Sequence, residues 1–280
     1  MKHILGIDHL GWLVNDLDAV AASFARLGFT LSPRQTHSPN MGSANHTFVV
    51  GDTYVELIAF TRSTAFNEPW RRRVAEREGL YIVSARTDDA AAALDEVRAA
   101  GFGASDLVTH SRPATLPDGR VVEVAFDVVY LDEEALAPLH VSICGHRNPE
   151  HIFIEELSRH ANTAVGLREV RVVAADCAAA AGRCAALFGS VAQQRDGGLT
   201  VAAGNVAIDF VAPSHASAAM ATYSGRDAPA GVCFEVASLA TAEAVLLRNG
   251  IASRRSGSRL VVPSASAGGC AVEFVARGPA

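Results

Sequence analysis

One pattern recurs four times along this 280-residue chain and narrows its folding choices more than any other feature: a strand, an Ala-rich helix that stops near Gly, then three short strands. The first copy runs through "IDHLGWLV" and "LDAVAASFARLG" to strands expected near 29–36, 44–50 and 53–61. The second starts at "GLYIVSARTDD", continues in "AAAALDEVRAAG" and closes with strands near 106–110, 120–130 and 138–144, with "LPDGR" as a hairpin turn. The third opens at "LREVRVVAADCAAAAGRCAALFG", with strands around 191–195, 199–203 and 205–212. The fourth runs from "AGVCFEVASLATAEAVLLRNG" to "RLVVPS" and "CAVEFVA". Each helix follows an Asp, Asn or Ser able to accept from its first free N–H groups, and each ends at a Gly suited to a left-handed cap. Very short links between the last three strands force antiparallel neighbours, so the class is α+β rather than a doubly wound parallel sheet.

The polar stretch "GHRNPEHIFIEELSRHANTAVG" breaks the pattern and divides the chain into residues 1–144, a connecting segment 145–166 and residues 167–280. At 49% hydrophobic and 19% charged residues, the chain can build one large core or two ordinary ones. No apolar run is long enough to span a bilayer and no leader pattern opens the chain, so a cytoplasmic protein is expected. A net charge of −6 with scattered basic residues excludes a nucleic-acid surface. "WRRR" at 70–73 reads as a solvated helix face. Cys144, Cys177, Cys184, Cys233 and Cys270 show no C-x-x-C spacing and read as small core residues. No phosphate-binding glycine loop is present, which excludes a nucleotide cofactor.

Two polar side chains are out of place in apolar strands: His9 in "IDHLGWLV" and Glu56 in "YVELIAF". A buried imidazole or carboxylate without partners costs a few kcal/mol or more, so each needs a hydrogen-bond partner or a metal. Strand alternation puts Tyr54 and Glu56 on one face.

An Asp-His pair opening strand one, "ANH" at 44–46, "YVEL" at 54–57, "GHRNPE" at 145–150 and "HANTA" at 160–164 together resemble the glyoxalase-like domain family of the vicinal oxygen chelate superfamily. The motifs cover about residues 4–166; beyond them only the module period continues. The resemblance implies four βαβββ modules paired into two domains with curled mixed or antiparallel sheets. It also implies a divalent ion (Fe, Mn, Zn or Ni) that binds two neighbouring oxygens of a small substrate, and a pairing of two copies of the chain. Carried over residue by residue, the ligands would be His9, Glu56 and His146, with His140 as the alternative third ligand and Glu56 also moving a proton. Aligning Asp16 with Asp88 sets Tyr81 opposite His9, where the family places a further ligand. Asn45, His46, Tyr54, Tyr81 and His160 become candidates for substrate contact. The segment 145–166 is expected to fold back with Phe153 and Leu157 packed and His146 or His160 at the cavity mouth.

Of ten histidines only His215 follows residue 160, and the same alignment puts Glu169 and Gly231 at the His9 position of later modules. The C-terminal half is therefore expected to be a scaffold or lid. Two functions stay open: a metal-dependent lyase, isomerase or dioxygenase, and a metal-free module that sequesters a small molecule.

Overall fold

The computed structural model describes residues 1–216 and 226–278. The first half supplies β1 (Gly6–Leu13), α1 (Leu17–Arg26), β2 (Gln35–Thr36), β3 (Ser43–Val50), β4 (Thr53–Phe60), α2 (Glu68–Glu76), β5 (Gly79–Arg86), α3 (Ala90–Ala99), β6 (Val108–Thr115), β7 (Val121–Tyr130) and β8 (His140–His146). The second supplies β9 (Ala164–Val173), α4 (Cys177–Phe188), β10 (Gln193–Arg195), β11 (Gly198–Ala203), β12 (Val206–Val211), β13 (Ala228–Val236), α5 (Leu239–Arg248), β14 (Arg254–Ser256), β15 (Arg259–Val262) and β16 (Ala271–Ala276). Among the described residues no helix is long and apolar enough to cross a membrane.

The strands form two eight-stranded sheets with one plan, β2-β3-β4-β1-β5-β8-β7-β6 and β10-β11-β12-β9-β13-β16-β15-β14. In each, the first strand of a module runs parallel to the last, because the helix between them acts as a crossover. The two modules meet antiparallel at β1 and β5, and again at β9 and β13. The α+β class and paired-module plan of the sequence hold. β8 runs on through His146 and β9 starts at Ala164, so the joint itself is shorter than 145–166.

Side-chain capping starts the module helices. Asp16 accepts from Ala19 N, Asp176 from Ala179 N and Ser238 from Thr241 N. In the second module the cap is Asp89, which accepts from Ala91 N and Ala92 N, one position beyond the Asp88 of the sequence alignment. That single step matters at the site. The additional helix α2 presents Arg71 and Arg72 to solvent, as its charge run suggests, but turns Trp70 towards the interior.

Because strand side chains alternate, each sheet has one face for a cavity or ion network and one for the common core. Phe29 stacks on Phe48 at 4.3 Å between ring centres and meets Phe234 edge-on at 5.0 Å, so the core is continuous across the two halves. Trp12 Nε1 donates to Gly268 O at 2.6 Å, and Asn205 clasps Ile7 through both its N–H and its carbonyl. Gly6 (φ +142°) lies against this clasp, where a Cβ would stand 2.6 Å from Asn205 Oδ1.

Candidate active site

The first sheet curls until its two edges meet. Gln35 on β2 donates through Nε2 to Thr115 O on β6 at 2.7 Å and accepts from Thr115 N at 2.9 Å, joining the two edge strands at opposite ends of the sheet. The curl encloses a cavity of about 420 Å³. Part of its wall is apolar, with Ile58, Phe66, Trp70 and Val141, and part is polar, with His9, His37, Glu56 and Arg112.

His9 leaves β1 beside a register slip: Ile7 faces Ala85 and His9 faces Ser84, so Asp8 has no partner residue on β5. Such a bulge re-aims side chains that regular alternation would send to opposite faces. Asp8 Oδ1 consequently accepts from His9 Nδ1 at 2.7 Å and from His146 Nε2 at 2.8 Å, while Arg86 Nε lies 3.4 Å from Oδ2. Asp8 is fully buried. Burial works to raise its pKa, but the hydrogen bonds and charges of His146 and His9 win and hold it well below the usual carboxylate range. With Nε2 donating, the second nitrogen of His146 is left as a buried acceptor without a partner. Cys144 completes the group, its thiol kept protonated by burial and the nearby Asp8 carboxylate.

One ligand atom from each of Asp8, His9, Cys144 and His146 falls within 4.8 Å of all the others, the one such cluster among the described residues. A tetrahedral site with bonds of 2.0–2.3 Å has ligand atoms about 3.3–3.8 Å apart; the four residues offer atoms all within 4.8 Å of one another, and the hydrogen bonds of His9 and His146 to Asp8, at 2.7 and 2.8 Å, are shorter than that spacing and would open to admit an ion. A carboxylate with two imidazoles is also a donor set that divalent ions accept. His9 and Cys144 are the members on the cavity wall.

Glu56, expected as the ligand from β4, stands outside this cluster. Its Oε1 accepts from His37 Nε2 at 3.0 Å and from Asn45 Nδ2, and among the described residues Oε2 has no hydrogen-bond partner. Burial alone would raise the Glu56 pKa; the His37 hydrogen bond, then the charges of His37, His9 and Arg112, bring it down to about 2. Tyr54 stacks on His9 at 4.5 Å and lines the cavity, and burial keeps its hydroxyl protonated.

The other sequence candidates are placed elsewhere. Asn45 is buried beneath Glu56 rather than on the cavity wall, and His46 Nδ1 donates to Ser32 O at 2.8 Å. Tyr81 is not opposite His9. Capping by Asp89 shifts the alignment by one residue to Ile82, and the cross-strand neighbour of His9 is Ser84. A one-residue slip exchanges the faces of a strand: Ile82 and Ser84 line the cavity, while the Tyr81 hydroxyl donates to the carbonyls of Arg73 and Arg77. His140 lines the cavity edge-on to Trp70 but lies outside the Asp8 cluster, and burial lowers its pKa to about 4. In the joint, Leu157 packs with Val49 and Tyr54, and Phe153 meets the rings of Tyr54 and His146. His160 turns away, donating to Val49 O at 2.7 Å and accepting from Thr30 N at 3.1 Å.

Sequence reasoning missed Asp8, His37, Cys144 and Arg112. Asp8 carried a signal, an acid next to a histidine in an apolar strand, but strict alternation sends neighbouring side chains to opposite faces and gives no hint of the bulge that brings the two together. His37 lies just beyond β2, and nothing local distinguishes it from a loop histidine.

In the second half the His9 position is indeed Glu169, and the space is filled by ion pairs. Arg259 Nη2 reaches both oxygens of Glu169 at 2.7 and 2.8 Å, Arg259 Nη1 reaches Glu273 at 2.9 Å, and Arg171 reaches Glu273 at 2.6 Å.

The model of the family described as "Glyoxalase-like domain" matches residues 7–188, well over half of the chain. No curated protein sequence matches significantly. Among solved structures, a hypothetical protein from Staphylococcus aureus superposes with a TM-score of 0.68 at 10% identity, over 97% of this chain and 99% of that one. A triple mutant of 4-hydroxymandelate synthase from Streptomyces coelicolor gives 0.65 at 11% identity, over 99% and 94%. The Mn(II)-bound glyoxalase from Novosphingobium aromaticivorans gives 0.57 at 12% identity, over 98% and 82%. At these identities the likeness concerns the fold.

Proposed function

The chain belongs to the glyoxalase-like domain family, and on that premise we propose that it is a divalent-metal-dependent enzyme of the vicinal oxygen chelate type, acting on a small molecule with neighbouring oxygens. The observation that carries this reading is the Asp8-centred cluster reaching a largely apolar cavity through His9 and Cys144. Asp8, His9 and His146 would hold the ion, with Cys144 as the fourth neighbour; relative to the sequence reading, Asp8 replaces Glu56. The Mn(II) named for one structural relative supports the same class of ion. When bound, the ion supplies Lewis-acid polarisation of substrate oxygens and acidifies a neighbouring C–H.

The chain's own groups then have separable tasks. Glu56 is anionic at neutral pH and its Oε2 has no hydrogen-bond partner among the described residues, so that oxygen would receive a proton, while His37 and Asn45 fix the other. With a pKa of about 2 it is a weak base, and the transfer needs a C–H made acidic by the ion. The protonated Tyr54 hydroxyl is a donor for a substrate oxygen. Ile58, Phe66 and Trp70 exclude water. A carboxylate placed to shuttle a proton favours lyase or isomerase chemistry over oxygenation.

Metal analysis of protein purified without chelator tests this. We expect a stoichiometric divalent ion, a rise in Tm on adding Mn, Fe, Zn or Ni to stripped protein, and loss of both in His9→Ala and Asp8→Asn. No ion and no change in Tm would overturn it. One observation favours the second reading, a metal-free binding module: Asp8 is already satisfied by two imidazoles and Arg86. In that case His9→Ala would leave ligand affinity intact, because packing holds the ligand.

A further inference from the structure

Arg112 lies on β6 between half-buried His110 and buried Ala114, on the same face of the strand, and lines the cavity. Among the described residues its guanidinium has no hydrogen bond and no ion pair, and Nη1 is buried without a partner. Its electrostatic neighbours are Glu56 and Tyr54, yet Glu56 gives its hydrogen-bonded oxygen to His37 and Asn45. The other arginine on the cavity wall, Arg73, is tied to Glu133. A guanidinium keeps its charge in proteins, so five donors stand at the cavity wall without an acceptor. Burying such a group costs free energy that an incoming anion would recover.

We propose that Arg112 anchors a carboxylate of the ligand, which makes the substrate class a small monocarboxylate whose apolar body lies on the wall of Ile58, Phe66, Trp70 and Val141. This rests on the reading of the cavity as the substrate site. The charge balance selects a monoanion: one free guanidinium faces a cavity that also contains the Glu56 carboxylate, and a phosphate dianion would be opposed by it. The planar fork suits two parallel bonds to a carboxylate, and the Tyr54 hydroxyl is a further donor on the same polar wall.

The test uses full-length protein stripped with EDTA, so the ion plays no part, and calorimetric titration with phenylacetate, phenylacetamide and phenylphosphonate. Wild type is expected to bind the acid at least about tenfold more tightly than the amide, the scale of one charge-assisted contact. Arg112→Met abolishes that preference while melting at the same temperature or higher without ligand, because an unpaired buried charge has gone. Arg112→Lys retains part of the preference. Affinities for acid and amide within about threefold of each other, or no saturable binding of the acid, would overturn the proposal. So would a preference that survives in Arg112→Met, or tighter binding of the phosphonate. A lowered Tm in Arg112→Met would reassign Arg112 as a structural companion of Glu56. Metal uptake, measured separately, can fail while the acid preference stands, and the reverse, so the two readings are distinguished.

Discussion

Two buried carboxylates flank this cavity, and their partners give them different work. Asp8 lies between two imidazoles and an arginine, whereas Glu56 has one imidazole, one amide and a free oxygen. Because the folded-state pKa of Glu56 is depressed from 4.5 to about 2, its ionisation stabilises the fold fully above the unfolded value, and that stability is lost as pH falls through the folded value. Glu56→Gln is therefore expected to be less stable than wild type at pH 7 by on the order of 3 kcal/mol. The gap closes progressively between pH 4.5 and pH 2. Urea titrations of both proteins across that range check it; a gap independent of pH would show that Glu56 acts through shape alone.

At the scale of the element, the cavity exists because the two edge strands of the first sheet find each other. Gln35 belongs to a strand of two residues, and its side-chain amide supplies both a donor and an acceptor to Thr115, doing for the seam what a ladder of backbone bonds does elsewhere. Gln35→Ala removes both bonds and leaves a partly buried N–H and C=O to find water, at a cost of about 1–3 kcal/mol. Hydrogen exchange should show the Thr115 amide losing protection while β1 and β5 keep theirs; equal protection in both proteins would mean that the seam is held by other contacts. The element scale is also where the sequence reading slipped. The stretch "SRPATLPDGR" looks like turn material, so the strand was expected to stop near residue 110, whereas β6 continues to Thr115 and takes Arg112 with it. Pro113 is tolerated because β6 is an edge strand.

Across the whole molecule, the two halves share one architecture and differ in what fills the curl. The first keeps a cavity; the second closes its own with arginines on Glu169 and Glu273, two buried acids in modules that have no histidine at the corresponding place. Removing one member of such a network leaves the others uncompensated. Glu169→Gln is expected to cost about 3–5 kcal/mol, read as a lower urea midpoint, without changing ion uptake by the first half. Altered ion uptake in this variant would show that the halves are coupled through more than their shared core of Phe29, Phe48, Phe234 and Phe274.

Local chemistry made much of this architecture legible in advance. Helix caps at Asp16, Asp176 and Ser238, strands set by apolar runs, and short links that force antiparallel pairing all act within a few residues, so four modules and the α+β class follow from the sequence itself. His9 and Glu56 were legible as polar groups in need of partners because burial makes any unpaired one costly. Which partners they take was decided by tertiary structure. A bulge brings Asp8 round to His9 and His146, one step in a helix cap exchanges Tyr81 for Ile82 on the cavity wall, and the seam at Gln35 carries Arg112 inward. Register and closure are set by contacts between segments about eighty or more residues apart, and no window of sequence contains both sides of such a contact.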